Sequence, residues 1–325
     1  DEQRQDDWTW EPSDGHLLVV GATGSGVTTT LAGAALRHAG VDDEVVVIDG
    51  VGDRRWSSVA THPRVAAVAR LHERELVDRV LERATSGTGR ADGSGRRYVV
   101  VDGLTPLRRE LEGASRVDAH ARLDALHTAP PPGVTLLIGN DALGGLGPGV
   151  LARCGHRLVL HLHDPAEVGL VGRRAAEVPA AVPGRALDAA TGDEVQLAPW
   201  PAELLDEASW QGVPEVTRVR VLPEVVPART LPRSAADVHG WQVVVGVRHD
   251  DLCPAVLEVP EGEHVLVIGP ARSGRTEVLD GFRRCWSDAR PDAAQVVVAA
   301  RRVPRGRIAD VVADALDQTE HALVV

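Results

Sequence analysis

The chain contains no lysine and no methionine, and it has one tyrosine and one phenylalanine beside seven tryptophans. Lysine, methionine, tyrosine and phenylalanine have AT-rich codons, so the composition indicates a very GC-rich genome. The absence of lysine also excludes every site that needs a lysine ammonium group. A complete phosphate-binding loop of the GxxxxGK[ST] type is one such site.

Cysteines and long apolar runs are also scarce. The three cysteines, Cys154, Cys253 and Cys285, form no CxxC pair, which predicts buried thiols in a reducing cytoplasm. No apolar run approaches the roughly 18 residues that span a bilayer, and the first fifteen residues are too acidic for a signal peptide. Because the chain begins at Asp1 and lacks methionine, we expect a cytoplasmic fragment that reaches a membrane only through segments outside it.

Basic residues are fewer than acidic ones, 35 against 47, so the net charge is −12. Proteins that bind a phosphate backbone usually carry a basic excess or a stripe of lysine and arginine. No such stripe is visible, which disfavours nucleic acid as a partner. His161 and His163 alternate along an apolar run and indicate one face of a strand, not a metal site.

The pattern of apolar segments predicts an α/β protein with a parallel sheet covered by helices. Strands are predicted at His16–Val20, Glu44–Asp49, Tyr98–Asp102, Thr135–Gly139 and Arg157–His163. Helices are predicted at Thr28–Ala39, Glu73–Ala84 and Val117–Leu126. Between these elements, Ser86–Arg97 has the composition of a flexible loop, and Ala186–Leu197 has the pattern of a closing hairpin.

A repeat divides the chain into two modules. HLLVVGATGSGVTTT, which starts at His16, aligns without a gap with HVLVIGPARSGRTEV, which starts at His264. We predict a first domain at residues 1–215, which includes the start of a Pro-rich connector (201–239), and a second, incomplete domain at 216–325. The second module is predicted to start near Trp241 and to contain a strand, glycine loop and helix over Val265–Trp286, followed by strands at Gln295–Ala299 and Ala322–Val325.

The first glycine loop, Gly21–Thr28, follows a predicted strand and opens a helix, as a P-loop does. Its glycines allow backbone N–H groups to surround phosphate oxygens, and the helix N-terminus adds a favourable field. Val27 stands where a P-loop has lysine, so the main charge that contacts the β- and γ-phosphates is missing. The alternative is a strand–helix turn without a ligand. The candidate binding residues are Gly21, Thr23, Gly24, Ser25, Gly26, Val27, Thr28 and Thr29.

The second glycine loop, Gly269–Thr276, keeps a positive charge at the lysine position as Arg275. Since Arg272 adds a further charge and arginine pairs bidentately with phosphate, we expect this loop to be the better anion site. The alternative is that Arg275 turns away into a salt bridge with Glu277 or Asp280. The candidate binding residues are Gly269, Ala271, Arg272, Ser273, Gly274, Arg275 and Thr276.

Hydrolysis needs further groups beyond the loop. Tyr98–Asp102 has the pattern of a Walker B strand, so Thr28 and Asp102 are the residues expected to hold Mg²⁺ if a nucleotide binds. Gly103 occupies the position where motor ATPases have an acidic base. Asn140, which follows the next strand, is either a sensor-like residue or a turn-forming residue. Without the lysine and the base, we expect hydrolysis to be weak or absent.

The order of the motifs resembles the FtsK/SpoIIIE domain: the P-loop, VVVDG, LLIGND, HDPAEVGLVG and PGRALDAATGDEVQLA. It is similar to actinobacterial proteins that carry several such domains in a row, including type VII secretion ATPases. The resemblance covers residues 7–200 and, more weakly, 240–325. It implies a RecA-like fold, hexamer-forming surfaces, and work on a polymer, either DNA or secreted protein. The motifs themselves make ATP and Mg²⁺ the expected cofactors.

These observations support one main hypothesis on function and two alternatives. The chain is predicted to be a degenerate tandem module that regulates, or recognises substrates for, a protein-translocating motor similar to type VII secretion. Its expected partners are other domains of the same chain, ring-forming subunits and a secreted protein. The alternatives are an active ATP-driven DNA translocase, and a working ATPase that uses Arg275 or residues of a neighbouring subunit.

Overall fold

The computed structural model describes residues 7–86, 95–112, 116–199, 210–237, 240–249, 251–291, 294–296, 307, 309–310, 313–314, 317 and 322–324. The chain divides into two compact units, Asp1–Val221 and Leu222–Val325. The domain boundary predicted between residues 215 and 216 stays a prediction. In the described part of the chain, no helix is both long and apolar enough to cross a bilayer.

The first unit alternates strands and helices along most of its length. Its strands are β1 (Leu17–Val20), β2 (Glu44–Asp49), β3 (Val65–Arg70), β4 (Arg97–Asp102), β5 (Val134–Asn140), β6 (His156–Leu160), β7 (Arg185–Asp188) and β8 (Glu194–Gln196). Its helices are α1 (Val27–His38), α2 (Arg54–Val59), α3 (Arg74–Thr85), α4 (Leu104–Leu111), α5 (Val117–Thr128) and α6 (Pro148–Arg153).

These strands form one sheet in the order β3-β2-β4-β5-β1-β6-β7-β8. Strands β1 to β6 run parallel, whereas β7 and β8 add an antiparallel edge. Leu18 and Val20 of β1 enter one core, and Leu17 and Val19 enter the core on the opposite face. Both faces are buried, which explains why the parallel strands have continuous apolar runs. The predicted α/β class, with a largely parallel sheet flanked by helices, is confirmed.

Two predicted boundaries in this unit were wrong for identifiable reasons. Strand β6 ends at Leu160 because His161 instead accepts a backbone hydrogen bond from Ala22 (2.8 Å) at the glycine loop. Arg97 was assigned to a flexible loop, but it is a buried residue of β4, since Glu44 of the neighbouring strand compensates its charge. Residues 87–94 of that loop lie outside the described residues.

Several elements were missed by the sequence analysis. They are strand β3 and the short helices α2, α4 and α6. The predicted hairpin at Ala186–Leu197 is confirmed as β7 and β8, and its turn is closed by a hydrogen bond from Gly192 N to Asp188 O (2.8 Å).

The connector after the hairpin covers the open edge of the sheet. Val216 N donates to Pro63 O at 2.9 Å, and Val219 N donates to Ala66 O at 2.8 Å. Between them, the guanidinium of Arg218 donates to carbonyl groups at Ala60 and neighbouring positions (2.6 Å to Ala60 O). Unpaired backbone groups on an edge strand invite association with other strands, and this segment blocks part of that edge at β3. Residues 201–209 of the predicted connector lie outside the described residues.

The second unit contains β9 (Ala235–Asp237), β10 (Gly240–Val247), β11 (Pro254–Pro260), α7 (Arg275–Ala289), β12 (Ala294–Val296) and β13 (Ala322–Val324). Strands β9, β10 and β11 form an antiparallel sheet, and β12 pairs with β13 in parallel. Trp241 of β10 packs edge-to-face against Trp286 of α7, with ring centroids 5.2 Å apart. The β10–β11 pair was not predicted.

The strand predicted immediately before the second glycine loop was wrong. Residues 263–270 have no strand structure, and Leu266 and Ile268 are 81% and 83% exposed. An apolar run becomes a strand only where a neighbouring strand satisfies its backbone hydrogen bonds. In the described part of this unit, β12 and β13 satisfy each other instead.

The buried charge cluster in β2 and β4 generates the first prediction. Glu44 accepts hydrogen bonds from Arg83 (Nε–Oε2 3.1 Å) and from Arg97, which is 2% exposed. We expect Glu44→Gln to lower the free energy of unfolding of the first unit by about 3 kcal/mol at neutral pH, because it leaves a buried guanidinium uncompensated. Glu11→Gln, at a carboxylate that is 62% exposed, is the matched control and should have little effect.

The same cluster predicts a pH dependence. Burial opposes ionisation of Glu44, but hydrogen bonds and charges of Arg83 and Arg97 prevail and lower its pKa. The stabilisation is therefore present above the unfolded pKa of about 4.3 and is lost as the pH falls through the lower folded pKa. The difference between wild type and Glu44→Gln should shrink at acidic pH. Urea titrations at several pH values, monitored by hydrogen exchange of β2 and β4, would measure the difference in the free energy of unfolding. A difference between wild type and Glu44→Gln that grows as the pH falls would contradict the prediction.

Candidate nucleotide-binding site

The sheet brings the residues of the candidate site to one edge. Strand β5 lies between β1 and β4, so the loop after β1 is close to the carboxyl ends of both neighbours. Asp102 ends β4 and Asn140 ends β5, while Gly21 follows β1 directly. Ligands in open α/β sheets bind at this edge, outside the carboxyl ends of the strands.

The backbone of the first glycine loop is anchored to the sheet. Gly21 N donates to Asn140 O (3.1 Å), and Ser25 N closes a turn onto Ala22 O (3.0 Å). Gly24 and Gly26 have φ angles of 85° and 119°, a left-handed region that strongly favours glycine. Gly26 is also the N-cap of α1, so the loop leads directly into the helix N-terminus.

The loop is packed tightly against the segment that precedes β7. A Cβ atom at Gly26 would lie 3.2 Å from Gly184 N, and Gly184 N donates to Ser25 O at 2.8 Å. The hydroxyl oxygen of Ser25 is buried and has no hydrogen-bond partner among the residues that the structure describes. A buried polar atom without a partner, inside a loop whose backbone N–H groups begin a helix, fits a phosphate ligand.

Asp102 is the centre of the hydrogen bonds beneath the loop. The hydroxyl of Thr28 donates to Asp102 Oδ2 at 2.7 Å, and the indole Nε1 of Trp56 donates to the same oxygen at 2.8 Å. Burial raises the pKa of Asp102, the two hydrogen bonds oppose that shift, and the nearby carboxylates of Asp49 and Asp53 add to it. The sequence analysis missed Trp56, whose only signal was an aromatic residue in a polar segment shortly after β2.

Val27 is the first residue of α1 and packs against the core beneath that helix. A Cβ atom at Gly139 of β5 would lie 2.9 Å from Val27 Cγ1 and 2.9 Å from Asp102 Oδ1. A methyl group and a carboxylate oxygen therefore converge on the same glycine. The side chain at the lysine position offers apolar contact here and no donor to a phosphate.

Gly103 has a φ of 95° and caps the N-terminus of α4. A Cβ atom there would lie 3.1 Å from the carbonyl carbon of Gly50 and 3.1 Å from Val51 Cγ1. Any side chain at this position would thus be strained twice, by the left-handed backbone and by close contacts. The position where motor ATPases have an acidic base is therefore one where the local backbone disfavours any side chain.

Asn140 is 2% exposed, and both polar atoms of its side chain bind backbone groups. Its Oδ1 accepts from Thr105 N at 3.0 Å, near the start of α4, and its Nδ2 donates to Ala142 O at 2.7 Å. These contacts agree with the turn-forming alternative. The sensor-like role stays a prediction.

An open cavity of about 1220 Å³ adjoins α1 just beyond the loop. Helix α1, the hairpin strand β8 and residues 7–11 line it. Trp8 forms part of its wall and is held by a hydrogen bond from Nε1 to Asp188 Oδ2 (2.8 Å). Of the predicted binding residues, Thr29 faces this cavity. Thr30, Gly33 and Gln196 also line it, and the sequence analysis did not identify them.

The second glycine loop is exposed. Gly274 caps α7 with a φ of 87°, and Arg272 has a φ of 65°. Asp280 lies 3.8 Å from Arg283, and Arg275 forms no ion pair within the described part of the chain. The salt bridge considered as an alternative for Arg275 is therefore not seen there.

The conformation of Gly103 generates the second prediction. We expect Gly103→Ala and Gly103→Glu to lower the free energy of unfolding by about 2 to 3 kcal/mol, because strain and close contacts add. Gly52→Ala is the matched control: its φ is 75°, but no atom lies within 4 Å of a Cβ there, so it should cost about 1 kcal/mol. Urea unfolding midpoints would measure both. Equal costs for Gly52→Ala and Gly103→Ala would show that the contacts with Gly50 and Val51 do not matter.

No family model matches the chain. The ESX secretion system protein EccC of Thermomonospora curvata is 26% identical over 324 residues, covering 86% of this chain and 24% of that protein. ESX-3 secretion system protein EccC3 of Mycobacterium tuberculosis is 26% identical over 305 residues, covering 82% and 22%. The chain thus spans about a quarter of the length of these curated relatives.

Solved structures agree with these relatives. EssC (ATPases 2 and 3) from Geobacillus thermodenitrificans superposes with a TM-score of 0.72 at 16% identity, over 99% of this chain and 67% of that chain. Thermomonospora curvata EccC (ATPases 2 and 3), in complex with a signal sequence peptide, has a TM-score of 0.61 at 22% identity, over 99% and 64%. The chain is therefore similar in sequence to EccC proteins of ESX secretion systems, and it has the fold of the structures of EccC and EssC ATPases 2 and 3.

Proposed function

We propose that this chain is a nucleotide-binding tandem module of a type VII secretion-like motor, in which the first unit binds nucleotide but hydrolyses it slowly or not at all. The observation that carries the proposal is the contrast inside one site. The loop Gly21–Thr28 keeps the backbone shape of a phosphate-binding loop, with a buried hydroxyl at Ser25 that has no partner in the described part of the chain. Val27 and Gly103 stand where a lysine and an acidic base would act.

The residues of the first unit have distinct tasks in this proposal. The backbone N–H groups of Gly26, Val27 and Thr28 at the N-terminus of α1 bind the phosphates, because the first N–H groups of a helix have no acceptor within the helix and the helix dipole favours negative charge. Ser25 Oγ gives a further hydrogen bond. The nucleoside half extends into the cavity beside α1, where Thr29 and Gln196 supply polar groups.

The slow rate follows from what is missing. Phosphoryl transfer is accelerated mainly by positive charge on the transferring group and by a base that orients the attacking water. Val27 supplies no charge, and Gly103 supplies no base. Binding without turnover suits a regulatory or substrate-recognising role. In such a role, the presence of bound nucleotide, and not ATP hydrolysis, affects the neighbouring domains.

A secreted protein is the substrate that we propose, with ring-forming subunits and other domains of the same chain as partners. The net charge of −12 supports a protein partner over DNA, since a phosphate backbone attracts basic surfaces. The relatives described above are secretion proteins, and one of the similar structures contains a signal sequence peptide. The DNA translocase alternative predicts DNA binding that weakens steeply with salt. We expect no such binding.

Restoring the lysine tests the division between binding and turnover. We expect Val27→Lys to tighten ATP binding by about tenfold, because one charge-assisted hydrogen bond is worth about 1.5 kcal/mol. Turnover should stay far below one per second, since Gly103 still offers no base. Val41→Lys adds the same charge at a residue that is 65% exposed and is the matched control. Calorimetry and steady-state phosphate release would measure both, and fast turnover by Val27→Lys would show that a base comes from elsewhere.

The second loop is tested separately. If Arg275 contacts phosphate, Arg275→Ala should weaken binding of ATPγS to the second site by about tenfold. Arg283→Ala, at a half-buried arginine paired with Asp280 on the same helix, is the matched control. Unchanged binding in Arg275→Ala would mean that this arginine does not hold phosphate. Rapid ATP turnover that Arg275→Ala abolishes would instead support the working-ATPase alternative.

A further inference from the structure

The sequence assigned Mg²⁺ to Thr28 and Asp102, so the surroundings of these two side chains decide whether a magnesium ion fits. Mg²⁺ requires six oxygen ligands in nearly ideal octahedral geometry at about 2.0–2.1 Å, and it usually keeps several of its waters. A suitable site therefore needs oxygen atoms with free lone pairs and open space for water. Both requirements can be examined around Asp102.

The first requirement fails at Asp102 Oδ2. This oxygen accepts the hydroxyl of Thr28 at 2.7 Å and the indole N–H of Trp56 at 2.8 Å. An indole nitrogen is a donor only and offers no lone pair to a cation. Trp56 is 1% exposed, so its buried ring fills this side of the carboxylate.

The second requirement fails on the other side of the carboxylate. Asp102 Oδ1 lies beside Gly139, where Val27 Cγ1 and Leu31 Cδ1 also converge, each within 3 Å of the position of a Cβ. Asp102 as a whole is 1% exposed. Among the described residues, aliphatic groups lie beside one oxygen of the carboxylate and an indole ring beside the other, which disfavours the several waters that a Mg²⁺ ion keeps.

The neighbouring carboxylate does not replace Asp102. Asp49 pairs with Asp102 across β2 and β4, and its Oδ1 accepts a hydrogen bond from Gly52 N at 2.7 Å in the turn after β2. Its Oδ2 has no hydrogen-bond partner among the described residues, but Asp49 is 1% exposed, so this oxygen is not open to the waters of a hydrated ion. In the part of the chain that is described, no three His, Cys, Asp or Glu side chains group closely enough to hold a metal.

The position of Trp56 is set by the same turn. Asp53 caps α2 through a hydrogen bond from Arg55 N to its side chain (2.9 Å), and Trp56 N donates to Asp53 O at 3.2 Å. Asp49 fixes the start of this turn through Val51 N (3.2 Å). The indole is thus held by the β2–α2 connection and does not depend on a ligand.

We infer that Trp56 takes the place of the metal at Asp102, so that the first glycine loop binds its anion without a divalent cation. The claim that the loop binds an anion without a metal rests on the function proposed above. The hydrogen bond between Trp56 and Asp102 does not depend on that function. The chemical class of ligand that follows is a metal-free nucleotide or another polyphosphate, held by backbone N–H groups and the helix N-terminus. This distinguishes the loop from a P-loop that recognises a magnesium–nucleotide complex.

Calorimetric titration of ATP into the full chain tests the inference on binding. In wild type, the affinity in excess Mg²⁺ and in EDTA should agree within about twofold. Trp56→Phe removes the N–H donor and leaves space for about one water, so binding in Mg²⁺ should become about fivefold tighter than in EDTA. Trp241→Phe, at a buried tryptophan of the other unit, is the matched control and should behave as wild type. Tenfold tighter binding of wild type in Mg²⁺ would overturn the inference.

Nuclear magnetic resonance tests the hydrogen bond even if ATP does not bind. The indole N–H signal of Trp56, assigned by its loss in Trp56→Phe, should shift in Asp102→Asn because its acceptor changes from a carboxylate to an amide. With ATP present, Mn²⁺ should leave the signal unbroadened. Selective broadening by Mn²⁺, or an unshifted signal in Asp102→Asn, would overturn the inference. If ATP binds under no condition, the proposed function is refuted. The Trp56–Asp102 hydrogen bond is then tested only by the shift of the indole signal in Asp102→Asn.

Discussion

The buried carboxylate of Asp102 is the interaction on which the architecture of the first unit depends. Its Oδ2 accepts hydrogen bonds from Thr28 at the start of α1 and from Trp56 of α2, so one oxygen connects two helices to the end of β4. A buried carboxylate is costly unless it is well hydrogen-bonded, and removal of either donor would leave part of that cost uncompensated. The glycine loop is held in shape from below by this acceptor.

The consequence is a site that keeps the backbone shape of a P-loop but lacks the side chains that P-loop enzymes use for catalysis. Glycines with positive φ, a helix N-terminus and a buried hydroxyl remain at Gly24–Thr28. The groups that act on developing charge are replaced by the aliphatic side chain of Val27 and by Gly103, whose φ of 95° suits glycine and would strain any side chain. Since binding uses the backbone and catalysis uses side chains, the first can persist without the second. An occupied but slow module fits regulation better than force generation.

The predictions from sequence succeeded where the local pattern was strong. Five of the six parallel strands and the closing hairpin were located within a few residues, because continuous apolar runs bounded by glycine and polar residues are typical of buried parallel strands. The short helices α2, α4 and α6 were missed, since six to eight residues give too little periodicity. The strand predicted at Val265–Ile268 was wrong because strand formation needs a partner, which no local pattern supplies.

The sequence alone determined the α/β class, the two glycine loops and the absence of lysine from both, because these properties depend on residue identity and spacing. It also identified Asp102 and Thr28 as neighbours in function. Only the tertiary structure decided which groups surround them. Trp56 is 46 residues from Asp102 in the chain, and its role follows from the sheet order, which places β2 beside β4 and brings α2 over the end of β4. Contacts between distant segments are set by packing of the whole sheet. For that reason, the motif alone could not predict that Trp56 lies at the expected metal position beside Asp102.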